Sequence, residues 1–526
     1  MSCSGCHGRT DSSHVVRKVN ITIYDDAPYH VHQAGKPFTI DARVDYTGPA
    51  VIHYQWQDFR GRPLSDPFII KAGESSTIQS PSSKVGYYGL IFWANDDTVA
   101  LPNRQPGEPR EYGFAILASR TASARRIDTN SPFGMVHATI QDPYLPVWIK
   151  TVTWKTFSSK EWKTEMEKRR GLGMLELPIV LDEGWDSDDS KPISSQQLAE
   201  LKAKMRQYFA ADPDVLYWEL GLEENLKARF NLPYYWANLE EKTRAVRQAA
   251  DEINPNIKLI YQIAELNTSR IHQYLEKHLY LITGLKTSPI QQFLESNAAK
   301  YYDILSLHPY AWPDFPSPEK WMPEYLQNTK DLMKQNNIKG MPIWYTEVGA
   351  PHHGNHPDEF FGYPKSGDEV KGLSREEAVN YMIKMHVLAL HMGVEKVFWY
   401  NYKDHGNTRD HAEDHFGIRD YWGFPKPVYP AYFNLHSRLH GKNPVQVRQI
   451  SGNLWISEFE GANENVLISW TYPVGVQVAS LESLKSGLTP DEVLEIIDAV
   501  GMRLSLTGST IRITGNPIYI ITKKGS

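Results

Sequence analysis

Short runs in which apolar and polar residues alternate fill the first part of the chain, from about residue 19 to residue 117. Examples are residues 38–44, 51–56 and 87–93, and Gly, Pro, Asp and Ser separate the runs. A period of two is typical of strands that bury one face, and turn-forming residues between such strands favour antiparallel pairing. We predict an N-terminal β-sandwich over residues 19–120, preceded by a disordered N-terminus at residues 1–18.

After residue 131 the pattern changes to strand-like apolar runs that alternate with amphipathic helices. Such alternation indicates βα units and a parallel sheet, and eight units close into a barrel of roughly 250 residues or more. Capping boxes at Ser194 with Gln197 and at Ser374 with Glu377 mark two helix starts. We predict an α/β fold with a (β/α)8 TIM barrel over residues 131–438. Its eight predicted strands are residues 133–137, 148–153, 174–180, 215–220, 258–263, 304–308, 343–347 and 397–400.

The first predicted unit is the shortest of the eight. Residues 137–146 are too few for a full helix, so this unit is degenerate or its strand lies elsewhere.

Strand-like alternation returns at residues 453–459, 466–470 and 510–513. We predict a smaller C-terminal β-sandwich domain over residues 439–526, with a short helix that begins near Pro490.

Length and charge limit the functional classes. A chain of 526 residues is long enough for two or three domains. Its net charge of -6 offers no basic field for nucleic acid, so we expect no nucleic-acid partner. No apolar run approaches the roughly 18 residues of a membrane helix, so we expect no membrane span. Homo-oligomerisation stays open.

Only two cysteines occur, Cys3 and Cys6, followed by His7 in the C-x-x-C-H pattern of covalent haem attachment. The surrounding polar Ser/Gly-rich segment favours a disordered or processed end instead. No secretion signal precedes it, which leaves a cytoplasmic protein, or a secreted or periplasmic one whose leader has been removed.

Two predicted strands lead into a carboxylate, Glu223 after the fourth strand and Glu347 at the end of the seventh. The carboxyl ends of the strands in a βα barrel form the face at which substrates bind. Retaining glycoside hydrolases use two carboxyl groups about 5 Å apart, one to protonate the leaving oxygen and one to attack the sugar. The pair therefore predicts this chemistry, which requires no cofactor and no metal.

Two acidic neighbours keep the assignment of the first carboxylate open. Glu219 leans to the same side as Glu223 because a strand alternates its faces. Glu224 replaces Glu223 if the strand end carries a bulge.

The ordered set of motifs resembles glycoside hydrolase clan A. Residues 218–225 are similar to the W-E-x-x-N-E-P-N stretch of the family 39 β-xylosidases, α-L-iduronidases and their relatives. The resemblance covers roughly residues 131–524 and implies that Glu223 is the acid/base and Glu347 the nucleophile of a retaining enzyme acting on an oligo- or polysaccharide. It also implies that His308 and Tyr310 lie near the nucleophile, with Tyr310 keeping it ionised, and that Trp399 and Asn401 contact the sugar.

The sequence departs from this pattern at two positions. Clan A enzymes have Asn before the acid/base, where it binds the substrate 2-hydroxyl, whereas this chain has Leu222. The family's Arg at the second strand is matched by Lys150, which lacks the bidentate fork. The substrate is then unusual at that hydroxyl, or activity is reduced or lost.

Loops after three strands supply the other candidates. Trp185, with Asp182 and Glu183, lines a sugar subsite or belongs to an exposed acidic loop. Lys403 and Asp404 follow the eighth strand, where we predict specificity, including recognition of an acidic sugar.

Two other functions stay open. The Leu222 departure makes credible a carbohydrate-binding or scaffold protein that keeps the barrel without turnover. The histidines of residues 352–356 resemble a metal-binding tract, although a plain loop is favoured, and a metal-dependent hydrolase would use them.

Overall fold

The computed structural model divides the chain into two compact units, Met1–Leu117 and Ala118–Ser526. Among its described residues, no helix is both long and apolar enough to cross a membrane. The described residues are 17–46, 48–71, 73–102, 104, 108–118, 128–138, 142, 144, 148–153, 160–180, 185, 188–226, 232–266, 288–311, 314–352, 360–363, 368–408, 411–450 and 452–525.

The first unit is built from β-strands, as predicted, but its first strand, at Arg17–Lys18, lies inside the segment predicted to be disordered, because it pairs with Val99–Ala100. A five-stranded sheet has the order β3-β10-β8-β5-β6, a three-stranded sheet has the order β2-β4-β7, and β1 pairs with β9. The rings of Phe38, Trp56 and Phe114 join the two larger sheets, with centroids 5.6 to 6.0 Å apart. The strands are β1 Arg17–Lys18, β2 Asn20–Tyr24, β3 Val31–Gln33, β4 Thr39–Asp45, β5 Ile52–Gln57, β6 Phe68–Ile70, β7 Ser75–Gln79, β8 Gly86–Ala94, β9 Val99–Ala100 and β10 Arg110–Leu117.

The second unit contains a closed barrel of eight parallel strands, which confirms the predicted fold class. Its first strand pairs with both the second and the last, so the prediction placed that strand correctly. An antiparallel hairpin of β18 Phe360–Tyr363 and β19 Asp368–Lys371 precedes the eighth barrel strand. The barrel strands are β11 Phe133–Val136, β12 Trp148–Thr153, β13 Leu175–Val180, β14 Tyr217–Leu220, β15 Lys258–Leu266, β16 Ile304–Tyr310, β17 Ile343–Val348 and β20 Val394–Trp399.

Both predicted capping boxes are present and begin two of the helices. Ser194 accepts from the backbone N–H of Gln197, and Ser374 accepts from that of Glu377. The helices are α1 Lys160–Gly171, α2 Ser195–Ala211, α3 Tyr235–Ile253, α4 Pro289–Glu295, α5 Met322–Gln335, α6 Arg375–His391, α7 Val428–Leu439 and the single turn α8 Leu481–Leu484.

The interior of the barrel changes from apolar to polar along its axis. Because side chains alternate along a strand, the residue two positions after an interior residue also points inward. Lys150 follows Trp148 in this way, and Thr346 follows Trp344. Polar groups therefore collect at the carboxyl ends of the strands, where barrels bind substrate. The apolar floor beneath them consists of Val136, Trp148, Leu177, Ile260, Ile304, Trp344 and Phe398.

A C-terminal β domain packs against the barrel within the same unit. The indole N–H of Trp470 donates to Glu319 at 2.6 Å, and Lys384 of α6 lies 3.1 Å from the same carboxylate. The helix predicted near Pro490 is wrong, because only one 3-10 turn, Pro490–Glu492, precedes a strand that pairs with the sheet. The strands are β21 Asn443–Ile450, β22 Leu454–Glu460, β23 Glu464–Thr471, β24 Gln477–Ser480, β25 Val493–Ile497, β26 Thr510–Ile513 and β27 Ile518–Lys523.

A buried polar cluster ties Asp142, between β11 and β12, to the segment that follows β20. The Asp142 carboxylate accepts from the hydroxyls of Tyr402 and Tyr429, both at 3.0 Å, and from the Arg419 guanidinium at 2.8 Å. Removing this carboxylate would take a hydrogen-bond acceptor from Tyr402, Tyr429 and Arg419. The Arg419 charge would then stay buried without a counter-charge.

We expect Asp142→Ala to lower the free energy of unfolding by about 3 kcal/mol or more, because an uncompensated buried charge is costly. Urea unfolding followed by tryptophan fluorescence measures this. Asp142→Asn keeps the shape of the side chain and one acceptor oxygen. Its free energy of unfolding should lie between those of Asp142→Ala and the parent chain. Glu241→Ala, which breaks an exposed pair with Arg244, is the control and should change little. An Asp142→Ala loss no larger than that of the control would contradict a stabilising role.

Candidate active site

The turn after β14 directs Glu223 toward the barrel mouth. Gly221 has a φ of 80°, and a Cβ at this position would lie 2.7 Å from the indole nitrogen of Trp185. Glu223 itself has a φ of 46°, a left-handed conformation that costs a non-glycine residue about 1 kcal/mol or more. Such strain persists where surrounding contacts fix the backbone, and it is concentrated at functional sites.

A different irregularity directs Glu347. Thr346 points into the barrel, so a regular strand would turn Glu347 outward. The pairing of β17 with β20 is irregular between Tyr345 and Val348, and such a bulge changes the direction of a side chain. The Glu347 carboxylate consequently lies inside the mouth.

Glu223, Glu347 and His308 form one cluster. Their nearest carboxylate oxygens and imidazole nitrogen all lie within 4.8 Å of one another. Oε1 of Glu223 is 2.9 Å from Nδ1 of His308, and Oε2 of Glu347 is 3.7 Å from the same nitrogen. The Glu223 side chain is 28% exposed and that of Glu347 is 11% exposed, so both can be reached from the mouth.

Lys150 lies beneath Glu347 and is completely buried. Its ammonium is 2.8 Å from Oε2 of Glu219 and 3.0 Å from Oε1 of Glu347. Burial alone would lower the pKa of Lys150, but the two carboxylates outweigh it and raise the pKa above its ordinary value. One charged lysine therefore neutralises parts of two carboxylates at the bottom of the site.

A chain of hydrogen bonds connects Glu219, at the bottom of the site, to His308 at the mouth. The Thr346 hydroxyl donates to Oε1 of Glu219 at 2.5 Å, and Nε2 of His308 lies 3.0 Å from the Thr346 oxygen. Ser306 also bonds to Thr346. Burial lowers the pKa of His308 to about 4, although Glu347 opposes this shift, so the ring is neutral at pH 7.

Aromatic and imidazole rings form a wall beside Glu347. The Tyr310 hydroxyl donates to Oε2 of Glu347 at 3.3 Å, and the Tyr310 ring packs edge-on against Tyr400, with centroids 6.2 Å apart. The rings of His137 and His405 contact Tyr400 at 5.9 and 5.7 Å. Flat rings next to polar tips suit the mixed apolar and hydroxyl surface of a sugar.

The geometry separates the three acidic candidates near β14. Glu223 faces Glu347. Glu219 is buried at the bottom of the site, where it pairs with Lys150. Glu224 is buried beside Gly221 and accepts from the backbone N–H of Leu222 at 3.3 Å.

Of the other predicted site residues, His308 belongs to this cluster, and Lys150 and Tyr310 contact Glu347. Asn401 reaches the cluster only indirectly. The Asn401 amide lies 2.9 Å from Nε2 of His405, whose ring forms part of the wall.

Trp399 does not join the cluster. Phe398 points into the barrel, so Trp399 points outward, where it stacks on His386 of α6 at 6.1 Å. Tyr400, two positions after Phe398, is the aromatic residue at the mouth. The alternation along β20 was the available signal for this assignment.

Trp185, Lys403 and Asp404 are occupied by structural contacts. Trp185 is buried under Lys242, whose ammonium lies 5.1 Å from its ring, so it presents no face to a sugar. Lys403 is exposed and lies over the Tyr421 ring at 5.6 Å. Asp404 is buried 2.7 Å from the Lys426 ammonium, and burial raises its pKa to about 7.

Several residues lie outside the described part of the chain, among them Cys3, Cys6, Asp182, Glu183 and residues 353–359. His352 is described and buried, and its ring lies 3.2 Å from the Ala350 carbonyl oxygen. Within the described ranges, the one group with the spacing of a metal site is Glu223, His308 and Glu347.

Sequence reasoning missed four residues of the site: Ser306, Thr346, His137 and Tyr400. Ser306 and Thr346 could have been found by counting two positions from Ile304 and Trp344. His137 follows β11 with a φ of 55°, which no sequence pattern indicates.

No family model matches the sequence, and no curated protein matches it. In the fold, the chain is similar to a family 39 glycoside hydrolase from Bacteroides cellulosilyticus WH2, with a TM-score of 0.61 and 16% identity over 94% of this chain and 98% of that one. A β-glucuronidase from Ruminococcus gnavus is a more distant likeness, with a TM-score of 0.37 and 12% identity over 80% of this chain and 68% of that one.

Proposed function

We propose that this protein is a retaining glycoside hydrolase that cleaves O-glycosidic bonds of an oligo- or polysaccharide by double displacement. The observation that carries the proposal is the pair Glu223 and Glu347, whose carboxylate oxygens approach within 4.8 Å at the barrel mouth. Retaining enzymes place their carboxyl groups about 5 to 5.5 Å apart, whereas inverting enzymes leave room for a water between them. The likeness in fold to a family 39 enzyme is consistent with this proposal.

Glu347 is the proposed nucleophile. It attacks the anomeric carbon and forms a glycosyl-enzyme ester as the bond to the leaving oxygen breaks. The Lys150 ammonium and the Tyr310 hydroxyl each bond to one of its oxygens. Both contacts also hold the carboxylate in one orientation.

Glu223 is the proposed acid/base. With Glu219 ionised, the Thr346 proton goes to Glu219, so Thr346 accepts from Nε2–H of His308. A neutral imidazole has one N–H, and Nδ1 must then accept from Glu223, which holds the proton. The alternative donor to Nε2 is Lys150 at 3.3 Å, a longer contact than its 2.8 and 3.0 Å contacts to carboxylates.

In the first step Glu223 gives this proton to the departing oxygen. In the second step the Glu223 carboxylate takes a proton from water, and that water releases the sugar from Glu347. The anomeric configuration of the product is therefore that of the substrate.

The test is hydrolysis of a panel of aryl and oligosaccharide glycosides in both anomeric forms, followed by NMR of the first-formed product. We expect retention of configuration. Inversion on any cleaved substrate would contradict the mechanism, and turnover that a chelator removes would favour the metal-dependent alternative.

We expect Glu223→Ala to lower kcat/KM by about 10²- to 10⁴-fold on substrates with poor leaving groups and much less on activated aryl glycosides, which need no acid. Azide should accelerate the variant by attacking the glycosyl-enzyme, giving a glycosyl azide of retained configuration. Glu224→Gln is the matched neighbouring control. Its kcat/KM should depend on the leaving group in the same way as that of the parent chain. Equal losses on all leaving groups would contradict the acid role of Glu223.

A carbohydrate-binding protein without turnover is the second candidate, favoured by Leu222, whose apolar side chain stands next to Glu223 in the chain. Saturable glycan binding with no cleavage of any glycoside in the panel would identify it.

A further inference from the structure

A row of hydrogen bonds links Glu219, at the bottom of the site, to Glu223 at the mouth. Oε1 of Glu219 is 2.5 Å from the Thr346 hydroxyl, whose oxygen is 3.0 Å from Nε2 of His308. Nδ1 of the same ring is 2.9 Å from Oε1 of Glu223. Glu219 is completely buried and the Glu223 side chain is 28% exposed, so the row connects an interior carboxylate to one that solvent reaches.

Glu219 fixes the direction in which the protons of this row point. It forms an ion pair with Lys150 at 2.8 Å, and a carboxylate anion only accepts hydrogen bonds. The Thr346 hydroxyl therefore donates its one proton to Glu219 and accepts from Nε2–H of His308. Burial lowers the pKa of His308 to about 4, so the ring is neutral at pH 7 and its Nδ1 holds a lone pair. That lone pair faces Glu223 and accepts the proton of its carboxylic acid.

We propose that Glu219 is a positioning residue that assigns the proton to Glu223, acting through Thr346 and His308 from a place that substrate does not reach. This inference rests on the proposed function, because it deepens the acid role of Glu223. The observation that carries it is the unbroken row of contacts from one carboxylate to the other. If the row were reversed, Nδ1–H would face Glu223, and a donor at that position favours the carboxylate anion over the acid.

Glu219→Gln reverses the row without changing the shape of the side chain. The Lys150 ammonium accepts no hydrogen bond, so it selects the oxygen of the introduced amide for the position of Oε2. The amide nitrogen then takes the position of Oε1 and donates to the Thr346 oxygen. Thr346 turns its proton to Nε2 of His308, and the ring proton moves to Nδ1.

The alkaline limb of the pH dependence of kcat/KM reports the loss of the proton from the acid and tests this reversal. In Glu219→Gln we expect the limb to lie at a pH lower by about 1 or more, because a hydrogen bond to a charged group stabilises it strongly. Above that pH, kcat/KM should fall by about 10-fold or more on substrates with poor leaving groups and change little on activated aryl glycosides. A limb at the parent position would overturn the inference while the glycosidase proposal stands.

A second variant separates the row from the electrostatic field of the Glu219 charge. Removing that charge also changes the potential at Glu223. Thr346→Val keeps every charge and nearly the same volume, and it leaves Lys150, at 3.3 Å, to donate to Nε2 of His308. The limb should therefore move in the same direction as in Glu219→Gln. A limb that moves in Glu219→Gln alone would show a field effect and overturn the role of the row.

Other charged and titratable groups near Glu223 are the same in the parent chain and in both variants. Those described are Lys150 from β12, the adjacent Glu224, Tyr310 from β16, Glu347 from β17, and Tyr400 and Glu413 after β20. A movement of the limb in both variants is therefore assigned to the row. Thr346→Ser restores the hydroxyl and should return the limb to its parent position.

Glu176→Gln is the matched control. Glu176 is a buried carboxylate near the amino end of β13, where it pairs with Arg169. Its replacement removes a buried charge from a barrel strand and leaves the row intact, so the limb should stay at the parent position. A movement as large as that in Glu219→Gln would overturn the inference, because the limb would then report a general disturbance of the barrel.

The tautomer of His308 is measured without turnover, which separates this inference from the proposed function. Long-range proton–nitrogen NMR of the protein with labelled histidines shows which ring nitrogen carries the proton, and His308→Gln identifies the signals of that ring. We expect Nε2–H in the parent chain and Nδ1–H in both Glu219→Gln and Thr346→Val. If no glycoside is cleaved, the catalytic proposal fails and this measurement decides alone. The same tautomer in all three proteins overturns the inference.

Discussion

Glu347→Ala is expected to lower kcat/KM on every glycoside by about 10⁴-fold or more, whatever the leaving group. The first step has no path without a nucleophile, since the glycosyl-enzyme ester cannot form. Stopped and continuous assays with one activated and one poor substrate measure the loss. It should be nearly equal on both, in contrast to the leaving-group dependence expected for Glu223→Ala.

Azide rescue of Glu347→Ala gives an independent signature. The small anion occupies the space of the missing carboxylate and attacks the anomeric carbon directly, while Glu223 still protonates the leaving oxygen. The product should be a glycosyl azide of inverted configuration, opposite to the product from Glu223→Ala. Retained azide product from Glu347→Ala would show that another residue forms the ester.

Glu395→Ala is the matched control for Glu347→Ala. Glu395 is a carboxylate on β20 at the opposite end of the barrel, where it accepts from the Trp344 indole at 3.2 Å. Its removal deletes one carboxyl group from a barrel strand without touching the mouth, so kcat/KM should stay within about twofold. A comparable loss in this variant would mean that the assay reports folding and not chemistry.

The barrel could be predicted from the sequence because each strand is a local signal. All eight predicted strands overlap observed ones, since a buried parallel strand needs an unbroken apolar run that periodicity detects. The two carboxylates could be placed at the mouth for the same reason, because the end of a strand is a local property.

The contacts across the mouth could not be predicted in the same way. Lys150 bonds to Thr346, which is 196 positions away, and local patterns hold no information on such pairs. The orientation of Glu347 depends on a bulge in β17, and that of Glu223 on a left-handed turn. The resemblance implies that Trp399 contacts the sugar, whereas strand alternation along β20 favours Tyr400 for the mouth.

Charged loop residues were the least predictable. Lys403 and Asp404 read as ligand contacts because they follow a barrel strand, yet Asp404 pairs with Lys426, which lies 22 positions later in the chain. A sequence shows that a charge is present at a barrel mouth but not whether another side chain already neutralises it. A charge that another side chain neutralises stabilises the loop, whereas a charge without such a partner can bind an acidic sugar.

Lys150→Met is expected to cost about 3 to 5 kcal/mol of the free energy of unfolding, because it leaves the carboxylates of Glu219 and Glu347 buried without their shared counter-charge. It should also lower kcat/KM of the folded protein by about 10²-fold or more, since Glu347, the proposed nucleophile, loses a charged hydrogen-bond donor. Urea unfolding and active-site-normalised kinetics measure the two effects separately.

The pH dependence follows from the raised pKa of Lys150. A lysine whose folded pKa lies above its unfolded value contributes its full stabilisation below the unfolded pKa and loses it as the pH rises through the folded pKa. The ordinary value is 10.5, so the stability difference between the parent chain and Lys150→Met should show no contribution from this titration near neutral pH. The part of this difference that depends on the titration of Lys150 itself should be lost only in strongly alkaline solution.

Two further variants separate the electrostatic role of Lys150 from its volume. Adding Glu219→Gln to Lys150→Met removes one of the two unpaired charges and should recover part of the lost stability without restoring kcat/KM, a coupling that a double-mutant cycle measures. Lys396→Met is the matched buried-lysine control, because Lys396 lies over the rings of Trp148 and Trp344 at the barrel floor. It should lower stability but leave kcat/KM of the folded protein unchanged. If Lys150→Met behaves like Lys396→Met, with normal turnover, then the lysine supports the barrel alone and Glu347 is held for catalysis by Tyr310 and His308.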